Sequence, residues 1–291
     1  MATPCARTET ISAALVFSNT LVVCVLVSLV LSLSVYLHIP TSLGLLVFLA
    51  GGVFILYQLD RACDKSPEDV FNKPERLAWN QTHPRYGLLA SACAAVAMLL
   101  AVSHLSLRTL ALSAVIGMVG ILYCIPLGKP RWRLKHIPYA KALIVAGCWA
   151  AATVILPAVQ AGAPIHSDVA CLFLYRTLWL LPNLLLSNWL DREGDKRTGI
   201  RTFANEWTAQ RVLSACRRVC IATLVMAGAL VITIHASRWI LMDAAGLLVL
   251  LAFLRRGLPE SRWFYLLTVD LAACWPLVTA LLAQMLEPSA P

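Results

Sequence analysis

Runs of about twenty predominantly apolar residues recur along the whole chain, and each is long enough to cross the roughly 30 Å hydrocarbon core of a bilayer as a helix. Nine runs are readable, at about 12–37, 41–59, 87–104, 108–126, 138–159, 169–190, 213–234, 239–254 and 263–286. In lipid the backbone must satisfy its own polar groups, so spanning segments are helices or closed barrels. A barrel would alternate apolar and polar residues over about ten positions, and these runs do not. The predicted fold class is therefore an all-α integral membrane domain of nine transmembrane helices covering 1–291, with pseudo-repeat halves at about 1–135 and 136–291. Composition agrees. The AVILMFWYC residues make up 59% and the charged residues 13%, and mean hydropathy is +0.75. Those values exclude a disordered chain, a collagen and an ordinary soluble enzyme. Most of the ten cysteines lie inside apolar runs and none stands in a C-x-x-C pair, so they read as small core residues.

The net charge is +9. In a soluble protein that would suggest nucleic acid; here the placement of the charges matters more, and no nucleic-acid partner is expected. Twenty-one Lys and Arg residues lie on the side that holds the N-terminus, against two, Arg108 and Arg238, on the other, while Arg176 lies within a span. The positive-inside rule then predicts a cytoplasmic N-terminus and a C-terminus on the opposite side. Eleven of the 15 carboxylates share the basic side. Topogenic charge explains the bases but not these acids.

Two of the acidic segments match. The second run ends in Leu59-Asp60-Arg61-Ala62-Cys63-Asp64-Lys65 and the sixth in Leu190-Asp191-Arg192-Glu193-Gly194-Asp195-Lys196, which agree at five of seven positions. Asp60/Asp64 and Asp191/Asp195 are each spaced i, i+4, which on a helix puts both carboxylates on one face. Two such faces at one membrane surface suit a hard cation, and Mg²⁺ commonly bridges one or two carboxylates to substrate phosphates. Asp60, Asp64, Asp191 and Asp195 are the candidate metal ligands and the candidate catalytic residues. Arg61, Lys65, Lys129, Arg131, Lys135, Arg192, Lys196 and Arg201 are candidate diphosphate ligands, since metal with Lys and Arg is what a diphosphate requires. The plainer alternatives are solvated helix ends with locally paired charges, and a site for anionic lipid headgroups.

The pattern Asp191-x3-Asp195-x3-Gly199-x2-Thr202 resembles the second aspartate-rich motif of the UbiA superfamily of intramembrane prenyltransferases. Nine runs, acidic ends on runs two and six, and Tyr123-x2-Pro126 followed by basic residues resemble that family's layout over nearly the whole chain. The resemblance implies a ring of nine helices around a central cavity, Mg²⁺ as cofactor and a prenyl diphosphate as donor, and it adds Asn188, three residues before Asp191 where many members have an acid, to the candidate metal ligands. It implies transfer of the prenyl group to an aromatic or lipid acceptor of unknown identity, at a site facing the cytoplasm. Membrane lipids are the implied surroundings. Departure of diphosphate would leave an allylic cation in a closed apolar cavity, where aromatic faces stabilise it. Tyr57, Tyr123, Trp149, Trp179 and Trp189 are the candidates.

The first motif departs from the family pattern, with Leu56 and Tyr57 where the family has Asn and an acid. The segment from Ser66 to Arg85 is predicted to hold a short surface helix, with Ser66 and Pro67 as its start. Asn19, Tyr57, Tyr123, Asn188 and Asp270 are candidates for the cavity or the acceptor. Arg176 and Asp243, both within spans, are expected to pair. Two other readings stay open: a terpene cyclase on the same scaffold, which needs no acceptor, and a non-catalytic lipid-binding protein. A broken-helix transporter is disfavoured, since no span is interrupted by Gly or Pro at mid-membrane in both halves.

Overall fold

The computed structural model describes residues 17–63, 74–128, 132–233, 237–258, 269 and 271–286. Among them the ordered elements are helical apart from one isolated bridge between Leu127 and Trp132. The helices are α1 (Thr20–Leu37), α2 (Leu43–Cys63), α3 (Pro74–Thr82), α4 (Pro84–Val102), α5 (Leu107–Cys124), α6 (Lys141–Gln160), α7 (Ser167–Arg197), α8 (Phe203–Glu206), α9 (Ala209–Thr233), α10 (Trp239–Leu254) and α11 (Trp275–Leu286). Seven of them, α1, α2, α4, α5, α6, α7 and α9, are long and apolar enough to cross a membrane. The last two predicted spans correspond to shorter apolar helices, Trp239–Leu254 and Leu271–Leu286. Against the expected nine, the described residues thus hold seven helices of spanning length and two shorter apolar ones. The predicted start of the ninth, 263–268, lies outside the described residues.

Local chemistry sets the helix ends. Residues 12–16 of the first predicted span lie outside the described residues; α1 starts at Thr20, after Asn19 at a left-handed φ of 65° that no helix interior accepts. Ser106 caps α5 through its side chain, which accepts the Thr109 N–H. Pro84 opens α4, where its missing N–H costs nothing. In α6 the turn Ala151–Ile155 is π-helical and leads into Pro157. Pro157 cannot donate to the preceding turn, and the wider turn absorbs that loss. Sequence hydropathy ends the sixth span at 190, but α7 runs on to Arg197. It stops where Gly199, at φ 76°, allows the Ile200 N–H to reach back to the Asp195 carbonyl at 2.8 Å. That is a Schellman ending, and it needs the left-handed residue.

The helices close a ring: α1 touches α2, α2 touches α5, α5 touches α6, α6 touches α7, α7 touches α9, α9 touches α10, α10 touches α11, and α11 returns to α1, with α4 packed on α2. Leu88, Leu99 and Leu100 of α4 are largely exposed, as suits an outer face in lipid. The inside is filled unequally. The larger core joins α1, α6, α7, α9, α10 and α11. A smaller one, built on Leu26, Val30, Leu45, Leu49, Ala152 and Leu156, joins α1, α2 and α6.

The larger core contains the predicted ion pair. Arg176 Nη1 lies 3.5 Å from Asp243 Oδ2, with both side chains essentially inaccessible. Arg176 Nη2 donates to Ser32 Oγ at 2.8 Å, and the Tyr175 hydroxyl donates to Asp243 Oδ2 at 3.2 Å. The guanidinium also lies 5.8 Å from the Tyr36 ring centroid and 5.6 Å from that of Trp179. The cluster ties α1, α7 and α10 together. Removing one partner leaves the other buried and uncompensated, so Arg176→Met is expected to lower stability by about 3–5 kcal/mol. The double variant Arg176→Met/Asp243→Asn should regain most of that loss, as read by thermal unfolding in detergent.

Candidate functional site

A cavity of about 260 Å³ lies between α1, α2, α5, α6 and α7. Its polar lining comes from one end of the helices: Asp60 of α2, Lys135 of the 3₁₀ turn Leu134–His136, Lys141 at the start of α6, and Asn188, Asp191 and Asp195 of α7. Tyr123 stands at the same end, and the residues deeper in are apolar or aromatic, including Val53, Ile116, Leu184, Tyr57 and Trp149. Tyr57 and Trp149 meet edge to face, with centroids 6.5 Å apart and planes at 86°.

The i, i+4 spacing on α7 presents Asp191 and Asp195 to the cavity together, and both are buried. Lys141 neutralises them. Its Nζ donates to both oxygens of Asp195, at 2.9 and 2.8 Å, and lies 3.8 Å from Asp191 Oδ2. A cation in the first turn of a helix opposes the helix dipole by about 0.3–1 kcal/mol, and the two carboxylates offset that. Lys141 was not among the sequence candidates. It is the one charged residue between Lys135 and Asp168, and it opens a long apolar run. An isolated charge at the head of a span was the available signal.

The other motif residues shape the chain. Gly199 ends α7, and Thr202 caps α8 in a reciprocal box with Asn205. Tyr123 stands on the last turn of α5; Pro126 follows and Ile125 leaves the helix for extended backbone, as a residue before proline prefers. The chain then doubles back through paired backbone bonds between Leu127 and Trp132, which precede the turn carrying Lys135. In the first motif Leu56 lines the wall and fits against Gly120: a Cβ there would lie 3.0 Å from Leu56 Cδ1.

Several sequence candidates lie elsewhere. Asn19 is fully buried beside the N-terminus of α1 and accepts from the Arg61 guanidinium, which also donates to the Phe17 carbonyl. Neither Asn19 nor Arg61 lines the cavity. Arg192 folds onto its own helix, donating to the Trp189 carbonyl at 2.7 Å and lying 4.1 Å over the Trp189 ring. Lys196 is exposed. Arg201 donates to Glu206 Oε1 at 2.7 Å and does not line the cavity; Tyr139 donates to the same carboxylate. The Arg201 guanidinium, and then the Tyr139 hydroxyl, hold the Glu206 carboxyl below its ordinary pKa. Trp179 is buried in the larger core rather than in the cavity wall. Asp64, Lys65, Lys129, Arg131 and Asp270 lie outside the described residues, as do Ser66 and Pro67; the surface helix after them is α3.

Among the described residues no three His, Cys, Asp or Glu side chains converge tightly enough to hold an ion unaided. Cys124 and Cys148 also line the wall, and the candidate ligands at the polar end, Asp60, Asn188, Asp191 and Asp195, all offer oxygen. That set fits Mg²⁺, which takes one or two carboxylates and completes its shell with water and phosphate oxygens.

Comparison with known proteins matches this architecture. A UbiA homolog from Archaeoglobus fulgidus bound to GPP and Mg²⁺ aligns with a TM-score of 0.64 at 14% identity, over 93% of this chain and 98% of that one. The apo structure of a UbiA homolog from Aeropyrum pernix K1 gives 0.61 at 14% identity, over 93% and 97%. A digeranylgeranylglyceryl phosphate synthase gives 0.54 at 14% identity, over 96% and 98%. At such identities the likeness is one of fold. Among curated proteins none matches the chain by sequence. The family model for the UbiA prenyltransferase family, however, matches residues 21–267, the greater part of the chain. The chain is a multi-pass membrane protein and belongs to the UbiA prenyltransferase family.

Proposed function

We propose that the protein is an intramembrane prenyltransferase that binds a prenyl diphosphate with Mg²⁺ and moves the prenyl group to a hydrophobic aromatic or lipid acceptor. The observation that carries this reading is the meeting of Asp60 from α2 with Asp191, Asp195, Lys135 and Lys141 at the polar end of one apolar cavity. Family membership supports it, as do the relatives bound to GPP and Mg²⁺ or to DMAPP and Mg²⁺. Asp60, Asp191 and Asp195, with Asn188 and the undescribed Asp64, are the proposed metal-holding residues. Mg²⁺ bound there would neutralise charge on the departing diphosphate as a Lewis acid. Lys135 and Lys141 bind diphosphate oxygens as point charges. Tyr57, Tyr123 and Trp149 wall the prenyl chain, keep water from it and turn aromatic faces toward developing positive charge. The excess of Lys and Arg at this end supports a site at the cytoplasmic surface, with the N-terminus cytoplasmic and the C-terminus opposite. The matched L-D-R-x-x-D-K ends are the corresponding points of two pseudo-repeat halves, 1–135 and 136–291.

The test is product analysis. Purified protein is incubated with Mg²⁺ and radiolabelled geranyl diphosphate, with and without a membrane lipid extract. Label entering a component of the extract, with diphosphate release dependent on that extract, is the expected result. Equal release without the extract, giving a cyclic hydrocarbon or alcohol, would replace transfer with cyclisation.

A further inference from the structure

We propose that Tyr139 is a positioning residue for the donor: it holds the segment that carries Lys135 and Lys141 against the end of α7, and so fixes both ammonium groups at the polar end of the cavity. This inference rests on the donor reading above. Lys135 and Lys141 both line the cavity, and Tyr139 stands between them in the chain. Its backbone is left-handed, with φ 63°. A bulky residue rarely adopts that region, and it persists there only where its surroundings over-determine it. Here they do. The Tyr139 N–H donates to the Arg201 carbonyl at 3.0 Å. The hydroxyl donates to the Glu206 carboxylate and accepts from Arg201 Nη2 at 3.0 Å. The ring stacks on Phe203, with centroids 5.0 Å apart and planes at 29°.

What Tyr139 grips is an extension of the acid-bearing helix. The Ile200 N–H donates to the Asp195 carbonyl at 2.8 Å, and Asn205 Nδ2 donates to the Ile200 carbonyl at 2.6 Å. The reciprocal box of Thr202 and Asn205 fixes the turn into α8. Ile200 and Thr202 are fully buried, so Arg201, Phe203 and Glu206 stand on a frame rooted at Asp195. Two residues beyond Tyr139, Lys141 returns to the same Asp195 and donates to both its oxygens. The contacts therefore close a circuit from Asp195 through the turn after it to Tyr139, to Lys141 and back to Asp195. A lysine carries its charge on a flexible four-carbon stem, so the ammonium is placed only as well as the backbone beneath it. A donor that draws the ammonium from Asp195 weakens one side of the circuit, and the Tyr139 contacts hold the other.

Two constants test this: KM for geranyl diphosphate, and the Kd of inorganic pyrophosphate with Mg²⁺ by calorimetry. Tyr139→Gly accepts the left-handed backbone and removes every side-chain contact. It is expected to raise both constants by about tenfold, the scale of a displaced binding group. The amount of membrane lipid extract that gives half the maximal rate should not change, since neither lysine is assigned to the acceptor. Tyr139→Phe keeps the stack and loses the hydroxyl, while Glu206→Gln keeps the shape and loses the charge. Each should raise both constants by about threefold. In a Lys141→Met background, Tyr139→Gly should weaken pyrophosphate binding by less than about threefold, because its effect runs through the lysine. A tyrosine with a purely architectural role would lower the melting temperature and leave both constants within about twofold of the parent, and that result overturns the proposal. A full tenfold weakening in the Lys141→Met background would also overturn it, by showing that Tyr139 acts elsewhere. Should Tyr139→Gly not fold, the two conservative variants at this exposed contact decide by the same criterion. Binding of neither geranyl diphosphate nor pyrophosphate by the unaltered protein would overturn the donor reading, and this inference with it.

Discussion

Asp191→Asn is expected to reduce Mg²⁺-dependent diphosphate release by at least about 100-fold, the scale of losing one electrostatic element of a charge-stabilising site. Asp191 is buried on α7, lines the cavity and lies 3.8 Å from the Lys141 ammonium. Asparagine keeps the shape and one oxygen donor but removes the negative charge. The site then holds Mg²⁺ less tightly, and Mg²⁺ affinity should fall with the rate. The substitution leaves the bidentate Lys141–Asp195 contact in place. Melting temperature in detergent should therefore stay near that of the parent, which separates a lost site from a lost fold. Release within about threefold of the parent would remove Asp191 from the site.

Lys141→Met is the second large effect, with an expected loss of about 100-fold or more in kcat/KM for the prenyl diphosphate. Methionine retains the apolar stem and removes the charge. Two consequences follow from one geometry. The buried Asp195 loses the cation that contacts both its oxygens, so stability falls. The diphosphate loses a point charge at the polar end of the cavity, so binding falls. Adding Asp195→Asn should restore most of the stability by removing the uncompensated carboxylate, while activity stays lost. Lys141→Arg should recover donor binding in part, since the charge returns in a different shape. A Lys141→Met protein that turns over donor normally would reduce this lysine to a structural counter-ion.

The sequence made the membrane class and the two acid-bearing helix ends readable, because apolar run length and a repeated heptapeptide are one-dimensional properties. Side-chain direction is not. Arg61, Arg192 and Lys196 each directly follow a motif acid, and neighbours in sequence lie about 100° apart around a helix. Arg61 therefore reaches the start of α1 and Arg192 the face of Trp189. Residues three or four positions away share the acid's direction, as Asn188 and Asp195 do with Asp191. Arg201 lies beyond Gly199, where the chain has already turned, and it meets Tyr139 and Glu206 on the surface. Lys141 is illegible in the sequence for the opposite reason. Its partners are 50 and 54 residues away, and no local pattern marks a contact between the start of one span and the end of another. The end of α7 was illegible because hydropathy alone was the guide: the apolar run stops at 190, whereas the helix continues to the turn that Gly199 sets. The Arg176–Asp243 pair was legible because two opposite charges inside apolar runs have few alternatives to each other.

The most direct test of the whole account is the Mg²⁺ dependence of diphosphate release by the unaltered protein. Purified protein in lipid nanodiscs, supplied with geranyl diphosphate and a membrane lipid extract, is titrated with Mg²⁺ from a chelated starting point. Release that is absent in chelator, rises saturably with Mg²⁺ and disappears in Asp191→Asn is the predicted result. Release that is indifferent to Mg²⁺, or no release although the donor binds, would contradict the assignment of the two acid-bearing helix ends to diphosphate chemistry.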